Sequence, residues 1–367
     1  MGKATPWSIR VADSLLQRTP CLDERWGYET GVALKGVEHV WKETADARYW
    51  QYIRDNMDGF VLPDGTIRTY HFEEYNLDLI PQGRLLLPLY AATHDERYRS
   101  AARLLRSQLQ SQPRTSDGGF WHKRIYPYQM WLDSAYMGST FLSEYAAAFD
   151  DPAAFDDVVR QLVLMERHTR DAHTGLLYHA WDETRSQRWA NPRTGQSPHF
   201  WGRGMGWFAM ALVDVLDVLP AAHAQRPAVI QIFRRTIKAV LKVRDEASGL
   251  WFQVLDQGGR PGNYLESSAS CMFVYALAKG ARLGYLSRSA RRVAHQSFAS
   301  ILSQFVVVQD GLVDLTRTCG GAGLGGNPYR DGSYEYYVGE RITTNDRKGI
   351  GPFLMASVEL EGQAVNG

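Results

Sequence analysis

Apolar residues recur every three or four positions through most of the chain, separated by polar ones. Tyr98, Ala101, Ala102, Leu105 and Leu109 show the pattern clearly: at 3.6 residues per turn they share one face of a helix. The same period predicts helices over 7–18, 34–57, 78–91, 95–111, 131–149, 153–169, 203–219, 227–244, 266–283, 287–306 and 346–361. Strand-like alternating runs are few, so little room is left for a sheet and the fold class expected is all-α.

Several predicted helices begin with an acid. Asp46 precedes Arg48-Tyr49, Asp95 precedes Arg97-Tyr98, and Asp151-Pro152 precedes Phe155. Each acid is followed by an aromatic and then an amphipathic helix, at intervals of about fifty residues, the length of a helix hairpin. Repeated hairpins must stack to bury their apolar faces, and a ring of them leaves no exposed end. An (α/α) toroid is therefore expected, although the repeat alone also fits an open solenoid. Between helices lie long Gly- and aromatic-rich connections at 116–128, 175–202, 258–265 and 311–341, and long loops in compact domains usually carry function. The run Cys319-Gly320-Gly321-Ala322-Gly323-Leu324-Gly325-Gly326-Asn327 superficially resembles a phosphate loop. No G-K-[ST] follows it, so its glycines are read as tight turns at a cavity rim.

The 367 residues contain no linker or composition break, which predicts one domain over 1–367. Lys plus Arg 41 against Asp plus Glu 40 gives a net charge of +1, and no basic cluster points to nucleic acid or a membrane surface. The three cysteines, Cys21, Cys271 and Cys319, are widely spaced and suggest neither a disulfide framework nor a metal site. Residues 1–8 enter an amphipathic pattern rather than the apolar stretch of a secretion signal, so a cytoplasmic protein is expected. Aromatic residues reach 12 %, and many stand beside Gly, His, Arg or Asp. That setting suits sugars, whose C–H faces stack on rings while their hydroxyls need hydrogen bonds; plain core filling is the other explanation.

Four segments concentrate such residues at predicted helix mouths: Tyr75-Asn76-Leu77-Asp78, Trp121-His122-Lys123 with Trp131-Leu132-Asp133, Tyr178-His179-Ala180-Trp181-Asp182, and Trp201-Gly202-Arg203-Gly204-Met205-Gly206-Trp207. In a ring of helices these mouths can converge on one end of the axis. Asp133 follows Trp131 at a helix start, where ring and helix can shield it from water and raise its pKa toward that of a proton donor. Asp78 begins another helix after an aromatic, and a like-charged neighbour favours protonation of one of the pair. Capping alone is the commoner role for Asp at such positions. His122 and His179 can donate to substrate hydroxyls or orient the acids; their spacing is not that of metal ligands. Arg203 and Trp207, four apart, share a helical face able to hold a sugar carboxylate and a ring together, or to pack against a neighbouring helix.

Together, Trp131-Leu132-Asp133-Ser134-Ala135-Tyr136-Met137, His179-Ala180-Trp181-Asp182-Glu183, Phe200-Trp201-Gly202-Arg203-Gly204-Met205-Gly206-Trp207 and Tyr329-Arg330-Asp331-Gly332-Ser333-Tyr334-Glu335-Tyr336-Tyr337 resemble the unsaturated rhamnogalacturonyl hydrolases, glycoside hydrolase family 105, over roughly residues 25–361. The resemblance implies an (α/α)6 barrel that removes a terminal 4,5-unsaturated uronic acid from pectin fragments, with an oligosaccharide as its partner and no cofactor. By motif position it implies Asp133 as catalytic acid/base and Asp78 as the accompanying acid. Tyr28, Trp131, His179, Trp201, Arg203 and Trp207 resemble the family's pocket residues, and His122 and Lys123 its Gly-Gly-Phe-Trp-His-Lys pattern. The alternatives are an unsaturated glucuronyl hydrolase acting on another polysaccharide, a sugar epimerase or isomerase on a similar barrel, and a non-catalytic sugar-binding protein.

Overall fold

A computed structural model describes residues 5–22 and 24–362; residues 1–4 and 363–367, the outermost parts of the expected domain, lie outside the described residues. The longer helices are α1 (Trp7–Arg18), α2 (Tyr28–Thr44), α3 (Ala47–Asp58), α4 (Leu86–Thr93) and α5 (Glu96–Ser111). The short α6 (Leu132–Ser134) runs through a π turn at Ala135–Ser139 into α7 (Thr140–Phe149), followed by α8 (Pro152–Thr169). Next come α9 (Gly202–Val218), α10 (Arg226–Lys242), α11 (Ser267–Arg282), α12 (Arg288–Phe305), the short α13 (Tyr334–Gly339) and α14 (Arg347–Glu361).

Burial sorts these helices into two layers. From Gly202 to Leu216 every residue of α9 is buried, as is α11 from Ser267 to Gly280, so their apolar residues are not confined to a stripe. By contrast α5 buries only the stripe Tyr98, Ala101, Ala102, Leu105, Gln108 and Leu109. The inner helices form a closed cycle. α2 packs on the 3₁₀ turn Pro81–Leu85 that leads into α4, that turn on α7, α7 on α9, α9 on α11, α11 on α14, and α14 back on α2. Helices α1, α3, α5, α8, α10 and α12 lie outside them. Six inner and six outer helices, alternating along the chain, make this an (α/α)6 barrel, and the solenoid alternative is excluded by the contact between α14 and α2.

That closing contact depends on glycine. A Cβ on Gly36 of α2 would lie 2.8 Å from the Gly351 carbonyl oxygen, and one on Gly351 would run into the Val32 carbonyl, so the two backbones approach closely only without side chains.

The acidic repeat marks the joints between inner and outer layers. Ala45, His94 and Asp150 each adopt left-handed backbone, with φ of 55°, 55° and 52°, and the acids Asp46, Asp95 and Asp151 follow them. Asp46 and Asp95 accept from the Arg48 and Arg97 amides as N-caps, whereas Asp151 pairs with Arg106 instead. The helix predicted over 34–57 is accordingly two helices, because the chain reverses at Ala45. The helix predicted over 78–91 is 3₁₀ as far as Leu85 and only then α-helical.

Among the described residues strands are confined to two-stranded ribbons. β1 (Gln129–Trp131) pairs antiparallel with β2 (Ala180–Asp182), β3 (Val306–Gln309) with β4 (Leu312–Leu315), and β5 (Thr318–Cys319) with β6 (Ile342–Thr343). Among the described residues no helix is long and apolar enough to cross a membrane, and the buried Cys271 and Cys319 are free thiols.

Candidate active site

Because each inner helix runs in the same sense along the axis, their N-terminal ends meet at one mouth of the barrel. Tyr28 opens α2, Asp78 lies in the 3₁₀ turn Leu77–Leu79 ahead of α4, Asp133 lies in α6, and Trp201 is the N-cap of α9 with Arg203 in its first turn. Glu266 caps α11 and Asp346 caps α14. The amide dipoles of these ends favour negative charge at the mouth.

Asp133 and Asp78 do not act as caps. Asn76 accepts from the Asp78 amide, and the helix carrying Asp133 begins after Trp131 without a side-chain cap. His179 Nε2 stands 3.3 Å from Asp133 Oδ2, and among the described residues neither of these buried atoms has another partner. The His179 ring is fixed from behind by a 2.8 Å hydrogen bond between Nδ1 and Tyr337 Oη. It is also fixed in sequence neighbourhood: β1 pairs Trp131 with Ala180, and the Leu132 amide donates to the His179 carbonyl. Burial drives the Asp133 carboxyl upward, but His179 and then His122 outweigh it and hold the carboxyl below its ordinary value. The raised pKa expected from shielding alone is therefore not found, because two imidazoles share the enclosure.

Asp78 sits between two bases. Its Oδ1 lies 3.5 Å from His122 Nε2 and its Oδ2 2.5 Å from Lys123 Nζ. Burial lowers the His122 pKa to about 4, so at neutral pH the ring is uncharged, with Nδ1 hydrogen-bonded to Ser134 Oγ at 2.9 Å. Burial also works against the Lys123 charge, and the Asp78 carboxylate more than restores it.

An aromatic wall flanks the acids. His122 and Tyr126 lie 4.8 and 4.9 Å from the Trp131 ring with planes within 15° of parallel, and 6.4 Å from one another. Trp131 thus carries two stacked rings beside the acids. Trp201 meets His179 at 4.6 Å, and the Arg203 guanidinium lies 5.0 Å from the Trp201 ring centre. Arg203 is buried; its Nη1 donates to the Cys319 carbonyl and Ser268 Oγ, while Nε has no partner. Tyr28 is half-buried, and its hydroxyl pKa is raised by burial and by Asp78, Glu29 and Asp133, with Arg203 opposing, which puts all these groups within one electrostatic neighbourhood. Trp207 is set deeper, its ring 6.2 Å from Tyr28 and 4.6 Å from Tyr136 in the barrel interior. It forms the floor beneath the mouth rather than its wall.

Sequence reasoning missed Tyr337, Ser134 and Glu266, the last accepting from the Ser268, Ala269 and Cys319 amides behind Arg203. Tyr337 is 158 residues from the histidine it holds, so only the fold reveals the pair. The glycine-rich run does border a cavity, as expected: Leu324 to Pro328 line a cleft of about 570 Å³ with Tyr126, Gln129 and Arg330.

The sequence model of the family described as Glycosyl Hydrolase Family 88 matches residues 3–363. A glycoside hydrolase from family 105 of C. acetobutylicum ATCC 824 superposes with a TM-score of 0.95 at 47 % identity, covering 97 % of this chain and 99 % of that one. The unsaturated rhamnogalacturonyl hydrolase YesR of Bacillus subtilis (strain 168) is 28 % identical over 309 residues, 83 % of this chain and 82 % of that protein. The 24.9 kDa protein in picA locus of Rhizobium radiobacter is 42 % identical over 230 residues, 61 % of this chain and 97 % of its own.

Proposed function

The chain belongs to Glycosyl Hydrolase Family 88, and from that premise we propose that it removes a terminal 4,5-unsaturated uronic acid, of the unsaturated galacturonosyl-rhamnose type, from pectin-derived oligosaccharides. The observation that carries this reading is that one mouth holds both a buried Asp133 carboxyl, with His179 as its neighbour, and a buried Arg203 whose Nε lacks a partner among the described residues. One group supplies or takes a proton; the other awaits a carboxylate.

A C4=C5 bond beside the ring oxygen is an enol ether. Protonation at C4 by Asp133 leaves positive charge shared between C5 and that oxygen, and water, losing a proton to the Asp133 carboxylate, adds at C5. The resulting hemiketal opens and the aglycone leaves, so no displacement at the anomeric carbon is needed and the carboxylate-separation rule for ordinary glycosidases does not apply. Asp133 must enter this cycle protonated. In the free protein its carboxyl is held low by the histidines; a bound substrate expels water and brings a carboxylate nearby, and both changes raise it. His179, fixed by Tyr337, orients Asp133; His122 and Lys123 keep Asp78 in place; Tyr28, Trp131 and Trp201 offer the sugar a hydroxyl and ring faces.

The test monitors absorbance of the conjugated double bond across unsaturated disaccharides derived from pectin, ulvan and glycosaminoglycans, with NMR of products formed in D₂O. The reading requires loss of absorbance with the pectin-derived disaccharide, deuterium at C4 of the released uronic product, and no cleavage of saturated galacturonosyl-rhamnose. Preference for an ulvan- or glycosaminoglycan-derived disaccharide would move the chain to the unsaturated glucuronyl hydrolases. Cleavage of the saturated sugar without deuterium at C4 would show ordinary glycosidase chemistry instead.

A further inference from the structure

Beyond the mouth that holds Asp133, the wall of rings continues outward. Tyr126 stacks on Trp131, as His122 does, and borders the cleft of about 570 Å³ formed with Gln129, Gln187 and the glycine-rich run, a volume in the range of ligand sites. Arg330 is the one charged residue lining this cleft. Its guanidinium is clamped: Nε donates to the Gly325 carbonyl at 2.9 Å, and Nη2 to Tyr126 Oη at 2.9 Å and the Leu324 carbonyl at 3.2 Å. Among the described residues Nη1 makes no hydrogen bond and Arg330 has no ion pair. Trp189, buried beside Gly325, likewise has an indole N–H without a partner. A rigid cation with no ion-pair partner among the described residues can receive an anion from outside the chain.

We propose that this cleft is a subsite for a second, carboxylate-bearing sugar, one residue beyond the unit joined to the unsaturated uronic acid, with Arg330 as its anchor. The inference rests on the function proposed for the mouth and extends it. An unsaturated terminus arises by β-elimination, in which a uronic residue within a polymer loses its C5 hydrogen and its C4–O4 bond breaks, so that the sugar joined at C4 leaves together with O4. The fragment left behind therefore comes from a chain that contains further uronic acids. Galacturonic and glucuronic acids differ only at C4, and elimination makes C4 and C5 planar in both, so the terminal residue no longer records its parent. Discrimination between polymers must then lie in the linkage and in the sugars beyond it, where Tyr126 offers a ring face and Arg330 a charge.

The experiment compares two unsaturated tetrasaccharides, one with a uronic acid as third residue and one in which that carboxyl is reduced to the alcohol. The expected result is that the wild-type chain favours the acid by about tenfold in kcat/KM, mainly through KM, and that Arg330→Gln brings the ratio close to one while Arg330→Lys retains part of it. Equal use of acid and alcohol by the wild-type chain overturns the proposal without any variant. So does an unchanged ratio in Arg330→Gln. Failure of the underlying function would show differently, as no absorbance loss with any unsaturated disaccharide. In that case calorimetric binding of the same two tetrasaccharides still decides the subsite, with equal affinities counting against it.

Discussion

At the scale of single residues, the acids and rings near helix mouths were legible because each stands in a compact motif, whereas their supports are distant in sequence. Asp133→Asn keeps the side chain's shape and its neighbours His179 and His122 but removes the transferable proton. It is expected to lower kcat by about 10²–10⁴-fold with an unchanged unfolding midpoint. Turnover near that of the wild-type chain would take Asp133 out of the chemistry. His122 supplies a second prediction. Its pKa is about 4 in the folded chain against 6.5 for an ordinary histidine, because burial disfavours the charged ring. Between these values the unfolded chain binds a proton that the folded chain does not, so stability falls as pH drops from 6.5 toward 4. His39, pushed to about 3, acts in the same direction. Carboxyls held low, such as Glu38 at about 2, begin to lose their contribution only below their usual 4.5, which leaves pH 6.5 to 4.5 to the histidines. Over that interval His122 is worth roughly 2 kcal/mol, and urea unfolding of His122→Gln should show a correspondingly shallower decline with falling pH. Identical slopes for the two proteins would mean that the ring is charged in the folded state.

At the scale of elements, the 3.6-residue period located the outer helices well, since each has one wet and one buried face. It blurred the joints. Ala45 and His94 reverse the chain in left-handed conformations; alanine is not a residue that favours them, so nothing in its identity marks the break at Ala45. The recurring turns after α8 and α10 do carry a signal in their residues. Asp171 accepts from the Thr174 amide and hydroxyl, Asp245 accepts identically from Ser248, and Gly175 and Gly249 come next with φ of 78° and 71°. Asp-x-x-Thr/Ser-Gly-Leu is thus a repeated signature of the turn that sends the chain back toward the mouth. Packing between elements gives a prediction that propensity alone would reverse. Alanine is favoured over glycine inside a helix by about 1 kcal/mol, yet Gly351→Ala drives a methyl into the Val32 carbonyl of α2. Overpacking costs about 1–3 kcal/mol, so the variant should unfold at lower urea than the wild-type chain. Gly138→Ala, whose added carbon would find its nearest neighbour at 3.7 Å, should not. A Gly351→Ala chain as stable as the wild type would show that α2 and α14 can separate without loss.

At the scale of the whole molecule, closing the ring gives the barrel two unlike ends. One gathers the inner N-termini, with Asp78, Asp133 and Arg203. Toward the other lies a largely buried ionic network in which Arg84 bridges Glu144 and Asp214, and Lys279 joins Asp214 to the exposed Asp217. Such charges are costly to bury unless fully paired, and their interlocking across the 3₁₀ turn Pro81–Leu85, α7, α9 and α11 ties neighbouring hairpins into one unit. The seam of the ring is made by the first and last helices. Glu361, at the end of α14, accepts from the Trp7 amide at 3.0 Å and the Ser8 amide at 3.2 Å, supplying the cap that α1 lacks after Pro6. Because the acid and the amides it satisfies are more than 350 residues apart, this cap exists only when the ring is closed. Glu361→Ala should therefore cost about 1 kcal/mol, as for other lost N-caps. If the ring unfolds as a unit, that loss must appear as a lower midpoint of one transition, with far-ultraviolet circular dichroism and tryptophan fluorescence still coincident. Amide hydrogen exchange tests the same point locally. Protection in α1 should fall together with that of α2 and α14 rather than ahead of it, and selective loss of protection in α1 alone would show that the seam opens independently of the barrel.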